Sequence, residues 1–194
     1  MSNICKSWFY GFVFIFVDFH IFIDILPDPI GYYFIYKGMT RAKSSPFPST
    51  HKVRLFSYIL MFLTIPYMIN IEQFTGSSTA YADIHFFTIY NIIVGWMDIV
   101  LIFYIFQFLI QALDKYQNYS LEDKEVRSIL LRGCTFYVSF RMLIMILHPF
   151  SMNVYEQWDM ILYILIFISI VATLYFLLIL YRMKHHFSEA LTTA

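Results

Sequence analysis

Residues Trp158–Tyr181 read WDMILYILIFISIVATLYFLLILY, with Asp159 at the outer end as the sole charge. From Met160 to Tyr181 nothing is charged. About 20 apolar residues cross a bilayer's hydrocarbon core as a helix, so this stretch is expected to span a membrane. Trp158 and Tyr181 suit its two interfaces. Similar apolar runs lie at Val53–Asn70, Ile84–Gln111 and Ile129–Leu147. The expected fold is an all-α integral membrane helical bundle forming one transmembrane domain over residues 1–194. It has full spans at 53–70, 84–111, 129–147 and 158–181, a proline-broken N-terminal membrane element at 8–37 (a hairpin or half-helix), and a basic cytoplasmic loop at 38–52.

Composition supports the same solvent. The 194 residues are 60% hydrophobic and 13% charged, where soluble domains average about 25% charged. A soluble core of this size cannot bury that much apolar surface; lipid must take up the rest. Net charge is zero, so there is no global field for nucleic acid. The expected partners are the lipid bilayer and another membrane protein or a second copy of the chain. Cys5 and Cys134 lie far apart and read as a free N-terminal thiol and an apolar core thiol. Lys6 and the apolar run Trp8–Val17 imitate a signal peptide. No small-residue cleavage site follows, and Asp18, His20 and Asp24 interrupt the region, so it is expected to be retained.

Loop charges give the orientation. Lys37, Arg41, Lys43, Lys52 and Arg54 crowd one segment without an acid, whereas Ile71–Asp83 carries Glu72 and Asp83 without a base. Lys115, Lys124, Arg127 and Arg132 then return beside four acids, His148–Asp159 again lacks a base, and the tail brings Arg182 and Lys184. Basic segments alternate with spans, as the positive-inside rule requires. The basic loops and the C-terminal tail are expected to be cytoplasmic.

Local signals set the element ends. Pro46 and Pro48 exclude helix from the Ser44–Ser49 linker, and Thr50 can cap a helix beginning near Lys52. Pro66 should kink that helix. The third element runs from Ile84 to Tyr116. Ser120 with Asp123 resembles an N-cap and its supporting acid, and Pro149 should stop the fourth helix. Within 8–37, Pro27 and Pro29 break helical continuity. Three paths fit: a hairpin entering and leaving on the cytoplasmic side, a broken single crossing, or an interfacial arm followed by a helix starting at Asp28. Lys6 favours the hairpin.

The run Asp24-Ile-Leu-Pro-Asp28-Pro-Ile-Gly31-Tyr32 resembles a signature of small uncharacterised membrane proteins of Gram-positive bacteria, D-I-L-P-D-x-I-G-Y followed by a short apolar run and a Gly-Leu-like end. Here that end is Lys37-Gly38-Met39. The resemblance covers about 20 residues, and Pro29 departs from the bulky apolar residue usual there. It implies a bacterial cytoplasmic membrane and adds no catalytic residue or cofactor.

Ionisable residues inside a span are functional suspects. Thr88, Asn91, Gly95 and Asp98 fall within about 80° on a helix of 3.6 residues per turn, a narrow polar stripe that suits a helix contact or a water pathway. Tyr137, Arg141, Met145 and His148 share a face of the fourth span. The third and fourth spans run antiparallel, and side chains lean toward their own N-termini, so Asp98 and Arg141 are expected to pair. Asp18, His20, Asp24 and Asp28 form an N-terminal acidic cluster. Nitrogen-plus-carboxylate sets can bind a divalent metal, but without a His-x-x-x-His or Cys motif no metal site or cofactor is assigned; capping and turn roles suit Asp24 and Asp28. His51, His85, His148 and the His185-His186 pair receive no chemistry. No phosphate-binding loop or nucleophile motif is present. The expected function is that of a non-enzymatic accessory or partner-binding subunit. The alternatives are a small transporter or channel subunit with Asp98, Asn91 and Arg141 at a cavity, and an intramembrane metal-dependent enzyme using the N-terminal cluster.

Overall fold

The computed structural model describes residues 1–16, 28–42, 47–68, 80–116, 121–151 and 159–192. These residues form α-helices: α1 (Ser2–Phe16), α2 (Asp28–Thr40), α3 (Pro48–Leu63), α4 (Ile65–Met68), α5 (Ala80–Tyr116), α6 (Leu121–Ser151) and α7 (Asp159–Thr192). Among the described residues, three helices are long and apolar enough to cross a membrane, over Ile89–Lys115, Lys124–Leu147 and Phe167–Phe187.

The helices close into a ring. α1 packs on α2, α2 on α3, α3 on α5, α5 on α6, α6 on α7, and α7 returns to α1. Each neighbouring pair is antiparallel. Ser7 meets Phe34 while Gly11 meets Gly31; Tyr36 stacks near Tyr58; Ser49 bonds Gln111 while Tyr90 bonds Leu63; Asp114 pairs with Arg127 while Asp98 meets Arg141; Phe9 approaches Tyr181 while Phe12 packs on Phe176. This alternation carries Lys6, Lys37, Lys52, Lys115, Arg127 and Arg182 to one end of the ring. The charge pattern of the sequence therefore becomes a basic pole.

Aromatic side chains fill the interior. Phe176 of α7 is fully buried and packs edge-on against Phe12 of α1, with ring centroids 4.8 Å apart. It also lies 5.3 Å from Phe106 of α5 and 5.2 Å from Tyr137 of α6. Trp8, also fully buried, meets Phe108 edge-on at 5.3 Å. The outer faces of α6 and α7 stay apolar, with Phe136, Ile146, Phe167, Ile170 and Leu174 exposed.

α1 and α2 approach at backbone distance. A Cβ built on Gly11 would fall 2.7 Å from the Gly31 carbonyl oxygen, and one on Gly31 would fall 2.6 Å from the Gly11 oxygen. Only glycine at both positions lets the two backbones touch, the small-residue solution of membrane helix pairs. α1 and α2 have 15 and 13 residues, about 22 and 20 Å at 1.5 Å per residue.

Several boundaries differ from expectation. α3 starts at Pro48, with Phe47 as N-cap and no side-chain cap bond; Thr50 is already inside the helix and caps nothing. Proline at the first helical position needs no N–H donor and has the helical φ built in, which explains the earlier start. As expected from Pro66, the helix is interrupted there: α3 ends at Leu63, Thr64 separates it from α4, and Pro66 in the first turn of α4 has no N–H to give to the preceding turn. α3 has 16 residues, and it is not among the candidate spans. Pro149 does not stop α6, which continues to Ser151. α2 begins at Asp28, with Pro29 in its first turn, the helix start that one of the three expected paths contained. Ser120, Trp158 and Pro27 lie outside the described residues.

Candidate functional site

The polar centre of the bundle is built by three helices. α5 contributes Asp98, which is 6% exposed. α6 contributes Arg141, whose Nη2 lies 3.5 Å from Asp98 Oδ2. α2 contributes Tyr32, also buried, whose hydroxyl donates to Asp98 Oδ1 at 2.9 Å. Each carboxylate oxygen thus has its own partner. An ionised group held away from water is tolerable only when paired and hydrogen-bonded, and the two contacts meet both needs. The Arg141 guanidinium also lies 5.9 Å from the Tyr137 ring centroid, within cation–π range.

Local sequence explains the placement. Asp98 and Arg141 face each other because α5 and α6 run antiparallel and both side chains lean toward their N-termini. Tyr32 reaches them because Gly31 lets α2 lie close on α1, which sets the depth of the whole pair. One turn away, Gly95 admits Met145: a Cβ there would meet the Met145 Cε at 2.5 Å.

The candidate residues from the sequence separate. Asp98 and Arg141 come together, and Tyr137, Arg141 and Met145 occupy the α5-facing side of α6. The stripe on α5 divides: Gly95 and Asp98 serve helix contacts, Asn91 is exposed, and the Thr88 side chain lies outside the described residues. Asp18, His20 and Asp24 also lie outside them. Asp28 stands in the first turn of α2, where its charge complements the helix dipole. Among the described residues no group of three His, Cys, Asp or Glu side chains stands ready to hold a metal ion.

Sequence reasoning missed Tyr32, Gly11 and Gly31 as members of this arrangement. The small pair Ser7-x-x-x-Gly11 and the glycines Gly31 and Gly38 on α2 were the available signal, since small residues at such spacing mark close helix contacts in membranes.

The described cavities lie at the basic pole. One, of about 270 Å³, runs between α6 and α7 along Val126, Ile129, Leu130, Ile179, Met183 and His186. Another, of about 230 Å³, opens between α1 and α2. Neither touches Asp98.

No family model matches the chain, and no curated protein or solved structure matches it either.

Proposed function

We propose that this chain is a multi-pass protein of the bacterial cytoplasmic membrane, acting as a non-enzymatic accessory subunit that binds a partner through its helices. In this reading α3 with α4, α5, α6 and α7 are the full crossings, and α1–α2 is a re-entrant hairpin. The basic pole, including the C-terminal tail, faces the cytoplasm. The observation that carries the functional part is the state of Asp98: both carboxylate oxygens are engaged by residues of the same bundle. Charges so neutralised lock helices together instead of receiving a ligand. The exposed apolar faces of α6 and α7 supply the surface for a partner helix, packing by shape as membrane helices do.

Copurification from native membranes in mild detergent tests this. A single stoichiometric membrane partner, lost when Phe167, Ile170 and Leu174 are changed to Ala, supports the reading. Recovery of the chain alone, together with solute uptake in proteoliposomes, overturns it.

The transporter reading has one observation in its favour. The N-terminal end of α2 lies one turn from Tyr32, which bonds Asp98, and discontinuous helices in transporters present such ends to substrate. Uptake that depends on Asp98 would select it.

A further inference from the structure

At the basic pole the α1–α2 pair opens outward into the cavity of about 230 Å³. Lys6 from α1 and Lys37 and Arg41 from the end of α2 converge on it, together with Asn3 and Tyr10, and its described lining contains no carboxylate. The Ser7 hydroxyl is not available to a ligand, because it donates to the Phe34 carbonyl at 2.8 Å and ties the floor of the cavity together. All three basic side chains are exposed, and the Lys37 ammonium lies 5.6 Å from the Tyr33 ring centroid; an anion seated among them would be attracted by three cations at once.

The surroundings specify the anion. The cavity sits at the end of the ring where basic segments gather, the level at which headgroups lie in the orientation proposed above. Below it, toward the bundle's middle, Tyr10 and Ile30 are exposed and Phe14 packs on Phe34 with centroids 5.5 Å apart. This gives a cationic cup above an aromatic track on the outer wall of one helix pair. The cup is smaller than a drug-sized pocket, which starts at about 300 Å³, and suits a compact headgroup.

We infer that this cavity binds the phosphate of an anionic phospholipid, with Lys6, Lys37 and Arg41 around its oxygens and the acyl chains lying along Tyr10 and Phe34. The site depends on the membrane reading and not on any protein partner. Soluble phosphates share the headgroup chemistry but have no use for the track.

Native mass spectrometry of the full chain in detergent, titrated with phosphatidylglycerol or phosphatidylcholine of identical chains, tests it. The expected result is at least tenfold tighter phosphatidylglycerol binding. K37Q should weaken it roughly fivefold, the worth of one cation at a membrane surface. The triple variant K6Q/K37Q/R41Q should fall to the phosphatidylcholine level. A control triple of equal charge loss, K52Q/K124Q/R132Q, should retain tight binding. Equal losses in the two triples would reduce the effect to general surface charge and overturn the site, as would failure to discriminate the two lipids. Glycerol 3-phosphate binding as tightly as the intact lipid would overturn the lipid assignment. If the pocket triple aggregates on size exclusion, K37Q alone decides.

Discussion

Tyr32 donates its hydroxyl hydrogen to Asp98 at 2.9 Å, joining residues 66 positions apart. Through this bond the N-terminal helix pair is fixed to the long central helix at the same carboxylate that Arg141 engages. Tyr32→Phe should therefore loosen α1–α2 from the bundle without unfolding α5–α7. The expected cost is about 1 kcal/mol, the usual scale for one hydrogen bond between membrane helices. Hydrogen exchange should show faster exchange in α2 and unchanged protection at the centre of α6; uniform loss would contradict this.

Arg141→Ala leaves Asp98 buried with one partner gone. Breaking a buried pair costs about 3–5 kcal/mol, so folded yield in detergent should drop sharply. Asp98→Asn removes the stranded charge, and the double variant should recover part of the loss. Independent, additive losses in the double variant would show that the two side chains do not couple.

The glycines make a graded prediction. Gly11→Ala and Gly31→Ala each drive a methyl into the opposing backbone at under 3 Å and should cost about 1–3 kcal/mol, the range for overpacking. Gly95→Ala meets only the end of Met145, a side chain that adapts easily, and should cost less. Thermal midpoints in one detergent rank the three; a Gly95→Ala loss equal to the others would refute the ranking.

Cys5 is fully buried, whereas Cys134 is partly accessible. Maleimide should modify Cys134 first in the folded protein and reach Cys5 only after denaturant is added. Intact mass measures both. With that background, cysteines placed at Lys43 and Ser77 should label from opposite sides of intact cells, and labelling from one side would overturn the proposed orientation.

Asp114 and Arg127 form an ion pair at 3.1 Å, with each side chain close to half exposed. Pairs this exposed contribute about 0–1 kcal/mol. Arg127→Ala should shift the thermal midpoint little, in contrast to Arg141→Ala.

The long spans were legible because an uninterrupted apolar run has few other uses, and the alternation of Lys and Arg fixed which connections share an end. The meeting of Asp98 and Arg141 followed from antiparallel neighbours and the lean of helical side chains. The N-terminal pair was harder. Each of its helices is shorter than the run that identifies a crossing, so length could not separate a hairpin from a broken span. Tyr32 carried no individual signal among 16 tyrosines; its importance depends on where α2 lies, and that depends on two glycines in contact across different helices. Helix ends read from proline alone were misplaced at Thr50 and Pro149, since proline is harmless in a first turn and termini fray by a residue or two.

Phe176 has one further consequence. A ring of helices invites the idea of a pore, but this side chain touches three other members of the circle at once and acts as a stopper among the described residues. Current across a planar bilayer should stay at baseline when the protein is added. Seen from the basic pole, the Asp98 carboxylate lies behind this cluster of rings, so a solute entering from that side would need several aromatic side chains to swing aside together.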